Sequence, residues 1–381
     1  MVVFNVKDIE ILSIKDLEKE KIKYEEEFLN KVKSFKKVML WGMSECAVEA
    51  IQFFSKNGIK VDGIYDNNVF KNGKSYLNIN IMIPDHSIYD KDTALIVTCS
   101  YYETIRESLL KNDSNIDNRL FMYDGYFLED KSINYYDDNK EKILNCYRTL
   151  EDEKSKLLYI NLLKYRYIRD INLIKDLYDS RLNCYLDTIF LNNYKKGLYV
   201  DAGSYNADFI TTLNDRIDLT DSKFYIFEPN KIFSQNIREN LKDRYDYKVF
   251  EVALCDKKGK MEFQQIDSST SHLVDKKYNA YKNTLDKNVE LVETNTIDNI
   301  LDNIKVTGIK IDIEGSEQAM LKGSINTIKR DRPILLISVY HKWNDLWEIQ
   351  DELVKLNLNY KFYLRHYSLS VAKTILYCIP C

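Results

Sequence analysis

The chain has 381 residues, enough for two or three domains, and its 45% hydrophobic and 30% charged residues exclude a disordered chain. Lysine and arginine number 55 against 59 aspartates and glutamates, a net charge of -4, which excludes the basic footprint of a nucleic-acid binder. No apolar run approaches the ~20 residues that span a bilayer, so no transmembrane segment is expected, and the N-terminal segment does not read as a signal peptide.

Residues 13–35 read as one charged amphipathic helix, capped by Ser13 with Asp16 completing an approximate capping box. Ile14, Leu17, Tyr24, Phe28, Val32 and Phe35 lie near one face, and Lys21 and Lys31 interrupt the stripe, which favours packing onto its own domain over a long coiled coil. Residues 37–130 read as a Rossmann-like α/β domain. Strands are expected at 38–41, 59–65, 94–99 and 120–123, with helices at about 47–57 and 102–110. Residues 131–196 read as a helical linker; from 138 to 195 there is neither glycine nor proline, and LLYINLLKYRYIRDINLIKDLY has helical periodicity.

Residues 197–381 read as a second α/β domain. Strands are expected at 198–202, 223–227, 247–253, 260–265, 307–313, 333–340, 360–366 and 374–379. Helices are expected at about 206–217, 231–243, 295–302, 316–328 and 344–356. The seven cysteines are scattered without a framework, and the one CxxC, Cys378 to Cys381, ends the chain with no helix to lower a thiol pKa. Reduced thiols and a cytoplasmic location are expected.

In open α/β sheets ligands bind at the carboxyl ends of the strands, where the strand order reverses. The first strand of the C-terminal domain runs into Asp201-Ala202-Gly203-Ser204-Tyr205, and the second into Glu228-Pro229-Asn230. A carboxylate at the tip of the second strand can accept both ribose hydroxyls of a nucleoside, the role expected of Glu228, with Pro229 stopping the strand and aiming it. A pyrophosphate needs several glycines for close approach of backbone amides. Here there is Gly203 alone, with Ala207 where a further glycine could sit, and Asp201 would repel a phosphate. That loop suits the ammonium and sulfonium of S-adenosylmethionine (SAM), although Asp201 could equally cap the next helix. Further on, strand alternation puts Lys310, Asp312 and Glu314 on one side, followed by a turn at Gly315. His341, one of four histidines, ends a strand expected to neighbour that of Asp312, and imidazole suits proton removal near neutral pH.

With these residues in view, the C-terminal half resembles the FkbM family of SAM-dependent methyltransferases. The matching stretches are VDAGSYNADF, IFEPN, EVALCDKKGKMEF, SSTSHLV, VETNTIDNIL, IKIDIEGSEQAMLKGS, ISVYHKWNDLWEI and LRHYSLSVAKTILY, in family order over roughly residues 180–381. The resemblance implies a class I methyltransferase fold, a seven-stranded, doubly wound sheet whose last strand is antiparallel, and O-methylation of sugars or other hydroxyls. It implies that Asp201 and Gly203, with Ser204 and Tyr205 beside them, hold the methionine end of SAM, that Glu228, Pro229 and Asn230 hold the ribose, and that Ala253, Leu254 and Asp256 line the adenine. Ser268 to His272 corresponds to a loop near the active site, and Asp312, Glu314 and His341 fall in substrate-side motifs. Ala207 replaces a second family glycine, and Lys373-Thr374 stands where the family often has Glu-Thr. The N-terminal domain resembles the small Rossmann-like domain of some bacterial sugar-modifying enzymes, through VMLWGMSECAVEAIQFF, IKVDGIYDNN and LIVTCSYYETI. Its loop, Gly42-Met43-Ser44-Glu45, suits a structural or docking role better than a diphosphate.

The expectation is SAM-dependent O-methylation of a sugar or glycan-linked acceptor in bacterial glycan, surface-polysaccharide or glycoprotein biosynthesis. His341 acts as base, with Asp312 orienting it or the substrate. A second version has Asp312 and Glu314 bind Mg²⁺. Competing readings are N-methylation of an amine, a non-catalytic scaffold and an NAD-linked sugar enzyme. Residues 13–35 and the linker offer surfaces for a homo-oligomer.

Overall fold

The computed structural model describes residues 14–124, 134–265, 272–273 and 288–381, so the cap expected at Ser13 lies outside the described residues. Two compact units divide the chain. Unit 1 is Met1–Asp138 with Ile160–Tyr178 and Ser368–Ala372, and unit 2 is Asn139–Tyr159, Asp179–Tyr367 and Lys373–Cys381. The segment between the two sheets is thus shared between the units, and a short piece of the C-terminal chain belongs with the first.

Unit 1 is built on six strands: β1 Lys37–Trp41, β2 Gly63–Tyr65, β3 Ser75–Tyr76, β4 Ile79–Met82, β5 Thr93–Val97 and β6 Leu120–Met122, in the order β3-β4-β2-β1-β5-β6. All neighbours pair in parallel except β3 with β4. The short β3–β4 hairpin carries no apolar alternation long enough to read in the sequence. Val38, Leu40, Ile64, Ala94 and Ile96 face one layer, where the helices Ile14–Lys33 and Glu45–Lys56 contribute Phe28, Val32, Ala47, Ile51 and Phe54. Met39, Trp41, Leu95 and Val97 face the other, against Tyr102, Ile105 and Leu109 of the helix Tyr102–Leu110. This strict alternation is that of a strand covered on both faces. Phe28 and Val32 place the N-terminal helix in its own unit's core, as its stripe suggests.

Unit 2 holds a seven-stranded sheet from β7 Leu198–Ala202, β8 Lys223–Phe227, β9 Asp246–Phe250, β14 Gly308–Ile311, β15 Ile334–Ser338, β16 Tyr360–His366 and β17 Thr374–Pro380, in the order β16-β17-β15-β14-β7-β8-β9. β17 is antiparallel to both its neighbours and the other pairs are parallel, so this is the expected class I arrangement with its last strand reversed. A side sheet, β10 Ala253–Leu254, β11 Gly259–Gln265, β12 His272–Leu273 and β13 Asn288–Asn295, runs in the order β10-β13-β11-β12. Its longest strand, β13, reads VELVETN with acids between apolar residues, a half-exposed pattern the sequence reading did not assign to a strand. The single helix expected at 316–328 is two, Glu317–Lys322 and Ile325–Asp331. A Cβ at Gly323 would meet the Cys255 carbonyl at 2.2 Å, so the glycine allows a close backbone approach where the helix breaks. No helix among the described residues is long and apolar enough to cross a membrane.

Candidate active site

The sheet order of unit 2 reverses at β7, with β8 on one side and β14 on the other. Beyond the carboxyl ends of these strands lies an open pocket. Of the residues expected to hold the cofactor, Gly203, Tyr205, Glu228, Pro229, Ala253, Leu254 and Asp312 line it. Phe233, Val252, Phe263 and Leu273 add apolar walls. Phe263 and Leu273 come from the side sheet, which is why they were missed: β11 is visible in the sequence, but its placement over the cavity is not. An apolar slot with Glu228 on one side and Asp312 and Glu314 on another has the chemistry of a nucleoside site.

Gly203 is required by this geometry. Its φ is +74°, and a Cβ there would sit 1.9 Å from the Asp312 carbonyl oxygen, so the first loop lies directly on the end of β14. Tyr205 and Ala207 also hold left-handed backbone, with φ of 54° and 68°. Ala207 therefore occupies a position that favours glycine for its backbone rather than for any contact with a ligand.

Glu228 is buried at the tip of β8. Its carboxylate accepts the backbone N–H of Asn230 at 2.9 Å and of Tyr205 at 3.3 Å. Burial pushes its pKa up to about 7, against the pull of those two amides. Asn230 itself caps the following helix through Ile232 and Phe233 N–H and is not on the cavity wall.

Asp201 is placed differently from the expectation. Its side chain is 1% exposed, it accepts the Ser204 hydroxyl at 2.6 Å, and Lys310 Nζ lies 3.0 Å away. Lys310 also donates to the Gly203 carbonyl at 2.6 Å. Asp201 and Ser204 are not among the cavity-lining residues, so their groups hold the loop rather than face its contents. The ammonium-binding role read from the sequence missed Lys310 as a built-in cation. Asp256 is exposed and off the wall. Ser268 to Ser271 and the His272 side chain lie outside the described residues.

Asp312, Glu314 and His341 come together. β14 and β15 are neighbours, as expected. β14 ends at Ile311, however, so strand alternation does not carry Glu314 to the site. Glu314 and Gly315 do so through left-handed backbone, with φ of 54° and 98°. A non-glycine residue held there costs of order 1–3 kcal/mol and marks a position the surroundings enforce. His341 Nε2 lies 3.5 Å from Asp312 Oδ1 and 3.4 Å from Glu314 Oε2, and Nδ1 lies 2.8 Å from Glu317 Oε1. Asp312 also accepts the hydroxyls of Tyr185 (2.7 Å) and Tyr340 (2.9 Å), and Lys373 Nζ at 3.0 Å.

Burial alone would lower the His341 pKa, but Glu317 and then Glu314 outweigh it and hold it well above the usual imidazole range. Burial would raise Asp312, but Lys373, then His341 and Lys310, hold it well below the usual carboxylate range. Glu317 escaped the sequence reading. It is an acid in the first turn of a helix, the ordinary place for one, and only the fold shows that it is fully buried against His341.

Residues 201–362 match the family model of the methyltransferase FkbM domain. The fold of the chain is similar to the crystal structure of methyltransferase FkbM from Methylobacillus flagellatus KT, with 17% identity, a TM-score of 0.63, and coverage of 96% of this chain and 99% of that one. CurJ carbon methyltransferase matches with 9% identity and a TM-score of 0.31 over 88% of this chain and 80% of its own. A comparison with the curated proteins finds no match. Over residues 201–362 the chain carries a methyltransferase FkbM domain, of a class that in general uses SAM.

Proposed function

We propose that the protein transfers the methyl group of SAM to a sugar hydroxyl, in the cytoplasm, during the building of a bacterial glycan, surface polysaccharide or glycoprotein. One observation carries this reading: Asp312 and Glu314 belong both to the wall of the pocket at the strand ends and to the cluster around His341. The methyl donor and the groups that relieve an acceptor of its proton thus meet at one wall. Glu228 takes the ribose hydroxyls, the apolar slot takes the adenine, and Gly203 lets the backbone approach the methionine end. The acceptor oxygen attacks the methyl carbon, the C–O bond forms as the C–S bond breaks, and the sulfonium leaves as a thioether. The acceptor hydroxyl loses its proton beside the Asp312–Glu314–His341 cluster. The protein supplies alignment of oxygen, carbon and sulfur in line.

A second reading, N-methylation of an amine acceptor, draws on the charge of that cluster. Three carboxylates, Asp312, Glu314 and Glu317, stand against the Lys373 ammonium and His341, an environment that would orient an ammonium before it loses its proton.

The test is calorimetric titration with S-adenosylhomocysteine (SAH), followed by transfer of labelled methyl from SAM to sugar and amino-sugar acceptors. Micromolar SAH binding that Glu228→Ala abolishes, with label on a sugar oxygen, supports the first reading. Label on nitrogen alone supports the second, and an absence of SAH binding removes both.

A further inference from the structure

We propose that Asp312, Glu314 and His341 form a binding site for one divalent cation of the Mn²⁺ class. The inference rests on the methyl-transfer reading above and specifies how the cluster relieves the acceptor of its proton. The three side chains offer two carboxylate oxygens and an imidazole nitrogen, all within 4.8 Å of one another.

The imidazole is the independent observation. The His341 side chain is 2% exposed, and its Nε2 makes no hydrogen bond of acceptable geometry. Nε2 instead stands 3.5 Å from Asp312 Oδ1 and 3.4 Å from Glu314 Oε2, too far for good hydrogen bonds. An ion about 2.1 Å from each ligand sets neighbouring ligand atoms roughly 3.0–3.4 Å apart, close to the two separations from Nε2. A buried polar nitrogen without a hydrogen bond is costly unless something meets it.

The surroundings fit an ion. Glu317 Oε1 at 2.8 Å from Nδ1 stands where a carboxylate fixes the tautomer and ring of a metal-binding histidine. Ile313 N–H donates to the same Glu317 oxygen at 2.9 Å and anchors it. Tyr340 donates to Asp312 Oδ1, but a carboxylate oxygen has a second lone pair to give. The left-handed backbone of Glu314 is the strain that brings the third ligand in.

The donor set selects the ion. Two carboxylates suit Mg²⁺ and Mn²⁺, an imidazole suits the transition metals, and Mn²⁺ accepts both. Bound there, the ion lowers the pKa of an acceptor hydroxyl on it, and the proton leaves to water.

The experiment is titration of the chelator-treated full chain with Mn²⁺, followed by electron paramagnetic resonance, with SAH binding measured in parallel. One Mn²⁺ per chain is expected, with Mg²⁺ competing at least about tenfold more weakly. Glu314→Gln and His341→Gln should each weaken Mn²⁺ at least about tenfold while a single cooperative melting transition shows that the fold survives. Glu314→Gln, at a partly exposed position, serves alone if the histidine variant does not fold. No Mn²⁺ bound, binding unchanged in the variants, or Mg²⁺ bound as well as Mn²⁺ would each overturn the site. Mn²⁺ binding without SAH binding would instead remove the methyl-transfer reading.

Discussion

The two parallel sheets of this chain end their first two strands in the same way and put the result to different use. In unit 1, β1 runs into Gly42-Met43-Ser44 and β2 ends at Asp66. In unit 2, β7 runs into Gly203-Ser204-Tyr205 and β8 ends at Glu228. Asp66 accepts the Met43 N–H at 2.9 Å and the Asn68 N–H at 2.8 Å, and Lys71 Nζ sits on it at 3.0 Å. Lys71 also donates to the Met43 carbonyl, so one lysine ties acid and loop together. Glu228 has a loop amide too, but no lysine or arginine within ion-pair distance among the described residues, and it faces the cavity. On the proposed reading, an acid at the tip of a second strand is left for a ligand only where the protein has not supplied its own cation. Asp201 repeats the lesson within unit 2, since Lys310 occupies it.

The comparison can be broken most severely at the glycines. Gly203→Ala would drive a methyl group into the Asp312 carbonyl, and the expected outcome is loss of SAH binding with a large fall in melting temperature. Gly42→Ala meets the Cys99 side chain at 3.0 Å, a milder contact, so it should destabilise the protein and leave SAH affinity intact. If calorimetry finds the reverse order, the two loops have been assigned to the wrong uses.

The acids come next. Glu228→Gln should weaken SAH by tenfold or more, the ~1.5–3 kcal/mol of a charged hydrogen bond. Asp66→Asn should leave SAH affinity unchanged and cost about 1–3 kcal/mol of stability, read from denaturant unfolding, because it strands Lys71 and the loop amides.

The pH dependence sharpens the contrast. With its pKa at about 7 in the empty site, Glu228 must lose a proton to accept both ribose hydroxyls, so SAH affinity should rise as pH passes upward through 7. Its effect on stability has the opposite direction. The raised pKa stabilises the folded state fully below the unfolded value of 4.5, and that contribution falls away as pH rises toward about 7, by about 3 kcal/mol in all. Glu228→Gln should remove both dependences; a titration of SAH affinity from pH 5.5 to 8.5 that stays flat in the unaltered protein would refute the assignment.

The smallest expected effect is a gain. Ala207→Gly relieves left-handed backbone at φ 68° and should stabilise the protein by about 1 kcal/mol, seen as a small rise in melting temperature with SAH affinity unchanged.

Much of this was legible from local pattern. The seven strands of the larger sheet follow from short apolar runs, and Gly203 and Glu228 follow from their places at strand ends. Asp312 and His341 were readable as a pair because parallel strands 20 or so residues apart with a helix between them are ordinarily neighbours. The side sheet was not legible, because β10 and β12 are two residues each and only pairing with β13 and β11 makes them strands. Glu314 was assigned to the right cluster for the wrong reason, since β14 stops three residues short of it.

What the sequence by itself determined is the order of strands and helices and the kinds of chemistry at their ends, because those depend on neighbouring residues and on one-dimensional periodicity. Only the tertiary structure decided which charges are already partnered. Lys310 closes on Asp201 and Lys71 on Asp66, across separations of 109 and 5 residues. Whether a carboxylate waits for a ligand or holds its own fold together is settled by where a cation is brought in space, and no local pattern records that.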